Sequence, residues 1–119
     1  MPHAVFEPAP DLERFWREFV PFKERRPDGT ILEARTSYLR QDEGAVLVEG
    51  FSYELGPPHH FFVICDRKGE RVTIRVASLV PVARTEGVIE IVKRIVEQFR
   101  ALGGSTVIRT NLELEESPR

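Results

Sequence analysis

The chain is poor in cysteine. Cys65 stands alone among 119 residues, so no intramolecular disulfide can form, and a single thiol fits a reducing compartment better than a secreted disulfide scaffold. It follows the apolar run Phe61 to Ile64, which predicts a buried thiol acting as a small hydrophobe. No neighbouring cation or helix start is present in the sequence to make it a reactive thiolate. Lysine is scarce as well, found only at positions 23, 68 and 93, and asparagine occurs once, at Asn111. Arginine carries most of the positive charge, as GC-rich coding would produce.

An excess of charge is missing too. The formal net charge is −2, whereas nucleic-acid binders carry a basic excess or a basic stripe. The one basic cluster, Lys23, Arg25 and Arg26, is interrupted by Glu24 and reads as a solvated surface. Nucleic acid is therefore not an expected partner. No apolar run approaches the ~20 residues of a membrane span. The opening MPHAVFEPAP lacks the basic start and apolar stretch of a signal peptide. The expectation is a cytoplasmic protein with no membrane partner.

Motifs with established chemistry are also lacking. There is no P-loop and no dinucleotide fingerprint, and no Cys/His spacing suited to zinc. Gly50-Phe51-Ser52-Tyr53 lacks the second glycine of a nucleophile elbow. His59-His60 is the most tempting pair, but neighbours in a strand point to opposite faces, so the two rings would not meet one ion. No metal and no cofactor is implied, and no catalytic residue stands out.

What is present is patterning. Residues 1–119 read as one α+β domain, with 1–10 and 115–119 as loose termini. Asp11 is placed to cap a helix running to Val20, with Leu12, Phe15, Trp16 and Phe19 on one face. Pro21 ends it. Pro27-Asp28-Gly29 marks a turn. From Ile31 to Gln41, Leu32, Ala34, Thr36 and Tyr38 share one face of a strand. Ala45 to Leu55 is a second strand whose apolar parity switches at Gly50, from Val46 and Val48 to Phe51, Tyr53 and Leu55. A bulge at Gly50 would reunite the two sets; otherwise the strand is covered on both sides. A third strand, His59 to Asp66, holds the continuous run Phe61 to Cys65, which implies burial of both faces. The fourth, Arg71 to Val80, alternates, and Pro81 closes the strand region.

Thr85 caps a second helix, whose stripe is Val88, Ile91, Val92, Ile95, Phe99 and Leu102, and Gly103-Gly104 ends it. A last strand follows from Ser105 to Leu114, with Ile108, Thr110, Leu112 and Leu114 on one face. The predicted architecture is a two-layer α+β sandwich in the order α-β-β-β-β-α-β, a four- to five-stranded, mostly antiparallel sheet with both helices on one face.

Such a sheet leaves one face without helical cover. Phe62 and Ile64, or Phe51 and Tyr53 if Gly50 is no bulge, would then be exposed. Contiguous exposed apolar surface usually marks a partner site. The leading expectation is a non-enzymatic interaction or scaffold domain, pairing with itself as a homodimer or with another protein through Phe51, Phe62 and Ile64. The alternative is a small ligand-binding protein or enzyme. Its apolar pocket would lie between sheet and helices, lined by Trp16, Phe19, Tyr38, Tyr53, His60 and Phe99.

Overall fold

The computed structural model describes residues 1–77 and 82–114. Nine elements follow one another: β1 (His3–Glu7), α1 (Leu12–Glu18), β2 (Phe22–Arg25), β3 (Ile31–Leu39), β4 (Ala45–Tyr53), β5 (His59–Lys68), β6 (Arg71–Val76), α2 (Glu86–Leu102) and β7 (Thr106–Thr110). The expected end of the fourth strand at 78–80, Pro81 and the expected loose segment 115–119 lie outside the described residues.

The two-layer sandwich with four or five strands is overturned. All seven strands join one antiparallel sheet, in the order β2-β3-β4-β5-β6-β1-β7, curled into a half-barrel with the two helices. Two strands had no counterpart in the sequence pattern. Residues 3–7 form β1, inserted between β6 and β7, where a loose terminus was expected. Ala4 and Phe6 are fully buried there. Residues 22–25 form β2, paired with β3 from Phe22↔Ala34 to Arg25↔Ile31. Only Phe22 in it is apolar, so alternation over four residues carried little signal.

The helices form where their caps dictate. The Asp11 carboxylate accepts from the Arg14 N–H at 3.1 Å, and the Thr85 hydroxyl accepts from the Val88 N–H at 3.2 Å. Each satisfies a first-turn donor that has no partner within its helix. Gly103 ends α2 at φ 75°, its N–H donating to the Arg100 carbonyl, a left-handed geometry glycine adopts cheaply.

One core lies inside the curl. Leu12 and Phe15 from α1 and Val88, Ile91, Val92, Ile95, Val96 and Phe99 from α2 pack on Val46, Val48, Phe61, Val63, Cys65, Val72 and Ile74. The Phe15 and Phe99 rings stack at 3.7 Å, with Phe6 5.7 Å from Phe99. Burial pushes the Cys65 thiol well above its ordinary range, so it stays protonated and apolar.

The bulge falls elsewhere than at Gly50. β4 and β5 pair without interruption from Ala45↔Asp66 to Ser52↔His59. The register shift lies in β3, between Ala34 and Ser37, where Arg35 and Thr36 stand opposite Glu49. Leu32 and Ala34 therefore face the core, whereas Thr36 and Tyr38 are turned out. Gly50 serves packing: a Cβ there would lie 2.7 Å from the Phe61 ring, so its absence admits that ring to the core. In β7 the parity also differs from expectation. Ile108 is exposed, and Val107 packs against the core in its place. A register shift accompanies this: the consecutive residues Val5 and Phe6 pair with Arg109 and Val107, so Ile108 is the extra residue of β7.

Candidate functional site

With both helices on the concave side, the outward parity of the central strands forms a face that no described helix covers. β3 contributes Arg35 and Tyr38, and β4 contributes Leu47, Glu49, Phe51 and Tyr53. β5 contributes His60, Phe62 and Ile64, and β6 contributes Arg75. The registers set their neighbours: Leu47 opposes Tyr38 and Ile64, Glu49 opposes Phe62, and Phe51 opposes Glu33 and His60. Directly opposed side chains in an antiparallel pair lie close enough to touch.

The aromatic groups are organised. The Arg35 guanidinium lies 4.7 Å over the Phe51 ring, and Phe51 lies 4.8 Å from the His60 ring on its other flank. Tyr38 and Phe62 meet edge to face at 6.5 Å. These contacts hold large side chains in place without covering them: Tyr38 is 50% exposed and Phe62 42%. Two of the acids on this face have cations, Glu33 with Arg35 at 3.3 Å and Asp66 with Arg75 at 3.9 Å. Beyond the paired end of β6, a depression of about 320 Å³ opens beside β5, lined by Leu47, Glu49, His60, Phe61, Phe62, Ala77 and Val82.

Of the residues expected from sequence, Phe51, Phe62 and Ile64 fall together on this face. The six expected to line an interior pocket do not surround a common space. Phe99 is buried against Phe15, and Phe19 packs on Phe15 at 5.8 Å. Trp16 lies at the surface, its indole N–H donating to the Ser37 carbonyl at 3.2 Å. Tyr38, Tyr53 and His60 stand on the opposite side of the sheet. His59 and His60 point to opposite faces. Among the described residues no three His, Cys, Asp or Glu side chains are placed to hold a metal ion, and no helix is long and apolar enough to cross a membrane.

The most polar feature on the concave side is one the sequence reading missed. Glu54, just past β4, accepts from the Ser52 hydroxyl at 2.6 Å, the Thr85 hydroxyl at 2.6 Å and the Gly87 N–H at 2.8 Å. Burial by itself raises its pKa, but these three hydrogen bonds outweigh that and hold it below the ordinary glutamate value. A carboxylate at the positive end of α2 is also favoured by the helix dipole. With the N-terminus of α2 so occupied, the cluster is a brace between sheet and helix. Its donors are spread from residue 52 to residue 87, so no local motif announced it.

The chain matches no protein-family model, no curated protein and no solved structure.

Proposed function

We propose that this protein is an interaction domain that pairs with a second copy of itself through the outer face of β3 to β6. The observation that carries this reading is the pair Tyr38 and Phe62, half-exposed aromatic side chains at the centre of an apolar surface that includes Leu47, Phe51, Tyr53 and Ile64. Soluble domains seldom leave such a surface bare without a partner for it. Aromatic anchors held in place by their neighbours lose little side-chain freedom on binding, and residues of this kind dominate interface energetics.

Two further points favour a second copy. A two-fold interface uses one patch twice, so the patch must complement itself. This one carries Arg35 and Arg75 together with Glu33, Glu49 and Asp66, so a two-fold rotation can bring opposite signs together. The area suits a weak association. β3, β4 and β5 have nine or ten residues and β6 has six, so at a rise of ~3.3 Å they span about 30 Å and about 20 Å, with strands ~4.8 Å apart. The footprint, roughly 500 Å² per copy, falls in the range of weak, transient interfaces.

Sedimentation equilibrium over a range of micromolar concentrations tests this. The wild-type chain is expected to sediment as a concentration-dependent dimer. Phe62→Glu, which places a charge at the centre of the patch, is expected to be monomeric with an unchanged circular-dichroism spectrum. A wild-type chain that stays monomeric at every concentration sinks the proposal.

A further inference from the structure

The outward carboxylates of β3 to β5 are not alike. Glu33 has Arg35 and Asp66 has Arg75. Glu49 lies between them in the sheet, half-buried, and has no hydrogen bond or ion pair among the described residues. The β3 bulge contributes to this isolation. Arg35, one of the two bulge residues opposite Glu49, is held over the Phe51 ring and beside Glu33. His60, diagonal to Glu49 across the strands, lies against Phe51 as well.

Glu49 lines the depression at the end of this face, where its neighbours are Leu47, Phe62, Ala77, Val82 and the His60 ring. A carboxylate partly withdrawn from water into apolar walls gains from a cation that brings its own charge and N–H donors. The aromatic rings alongside add attraction for the same cation and for an apolar body attached to it. The volume of about 320 Å³ lies at the lower end of small-molecule sites.

We infer that this depression is a binding site for a small organic cation, an ammonium group carried on an aryl or short alkyl body. The ammonium hydrogen-bonds to Glu49 while the body lies against Phe62 and the aliphatic side chains of Leu47 and Val82. Self-association is not required, because every described lining residue comes from one copy.

Ligand-observed fluorine NMR tests this with three probes of one shape: 4-fluorophenethylamine, the neutral 4-fluorophenethyl alcohol and the anionic 4-fluorophenylacetate. Protein is kept at a concentration where sedimentation finds only monomer. The amine is expected to bind about tenfold more tightly than the alcohol, as for one charge-assisted hydrogen bond, and the acid not to bind. Glu49→Gln is expected to erase the difference between amine and alcohol while keeping the wild-type unfolding midpoint, and Phe62→Ala to weaken both. Equal affinity for the three probes, an amine preference that survives Glu49→Gln, or no binding of the amine overturns the inference. Dimerisation without amine binding sinks this site alone, and amine binding by a strict monomer sinks the association proposal alone.

Discussion

The two faces of the sheet share their strands but have opposite fates. On the concave side Val46, Val48, Val63 and Cys65 are completely buried beneath α1 and α2. On the convex side Leu47, Phe51, Ile64 and Phe62, drawn from the same two strands, remain partly or largely exposed. Hydrophobicity therefore does not distinguish the faces; cover does. Side-chain shape differs as well. The buried face is mostly aliphatic and closely packed, as interiors are, while the bare face gathers rings held by edge-to-face, tilted and cation contacts. Residues that stabilise the fold should thus separate cleanly from residues that serve association.

The largest effect is expected in the concave core. Phe99→Ala, which removes a ring stacked at 3.7 Å on Phe15, should cost about 3–5 kcal/mol in denaturant unfolding. A loss of under ~1 kcal/mol would mean that the core collapses around the deletion far better than cores of this kind do. Next comes Gly50→Ala. Its new Cβ would fall 2.7 Å from the Phe61 ring, and such overpacking should cost about 1–3 kcal/mol. Trimming the ring in the double variant Gly50→Ala with Phe61→Leu should recover part of that loss, and a cycle with no coupling would show that the two positions do not meet. On the convex face, Phe62→Thr, compared with the wild type at a concentration where both are monomeric, should move the unfolding free energy by no more than about ±0.5 kcal/mol, the usual range for surface positions. A large loss would make Phe62 part of the core and erase the contrast.

The smallest effect concerns the brace between sheet and helix. The folded pKa of Glu54 lies below the ordinary value of 4.5, so its contribution to stability is fully present above that pH. It is lost as pH falls through the folded value. Unfolding midpoints measured downward from pH 5 should fall more steeply for the wild type than for Glu54→Gln. Parallel curves would show that the brace does not titrate with folding.

Much of the framework was legible before any coordinates. Both helices, their Asp11 and Thr85 caps and the glycine stop at 103 follow from local chemistry, which a sequence displays directly. So does the presence of more apolar strand surface than two helices can hide, since Val46 and Val48 occupy one parity of β4 and Phe51 and Tyr53 the other. What escaped was non-local. Residues 1–10 read as a loose tail because they carry three prolines, while the partners of β1 lie some 70 and 100 positions away. Gly50 suggests either a bulge or a strand apolar on both faces; the ladder runs through it unbroken, and the extra residue sits at Arg35-Thr36, where composition gives no hint. That one displacement turned Tyr38 from an expected pocket wall into part of the outer face. The depression beside Glu49 gathers side chains from β4 and β5 with Ala77 and Val82, and no short motif records that meeting.

The position of β1 has a consequence for how the molecule assembles. β1 lies between β6 and β7, both of which follow it at long range in sequence, so it has no partner until β6 has been made, and its second partner comes after α2. Closing so long a loop is entropically slow. The meander from β2 to β6 can pair progressively as it emerges, whereas His3 to Glu7 must wait. Residues 3–7 are therefore among the last of this sheet to find their partners, and the segment Ala4-Val5-Phe6 is an apolar strand without a ladder until then.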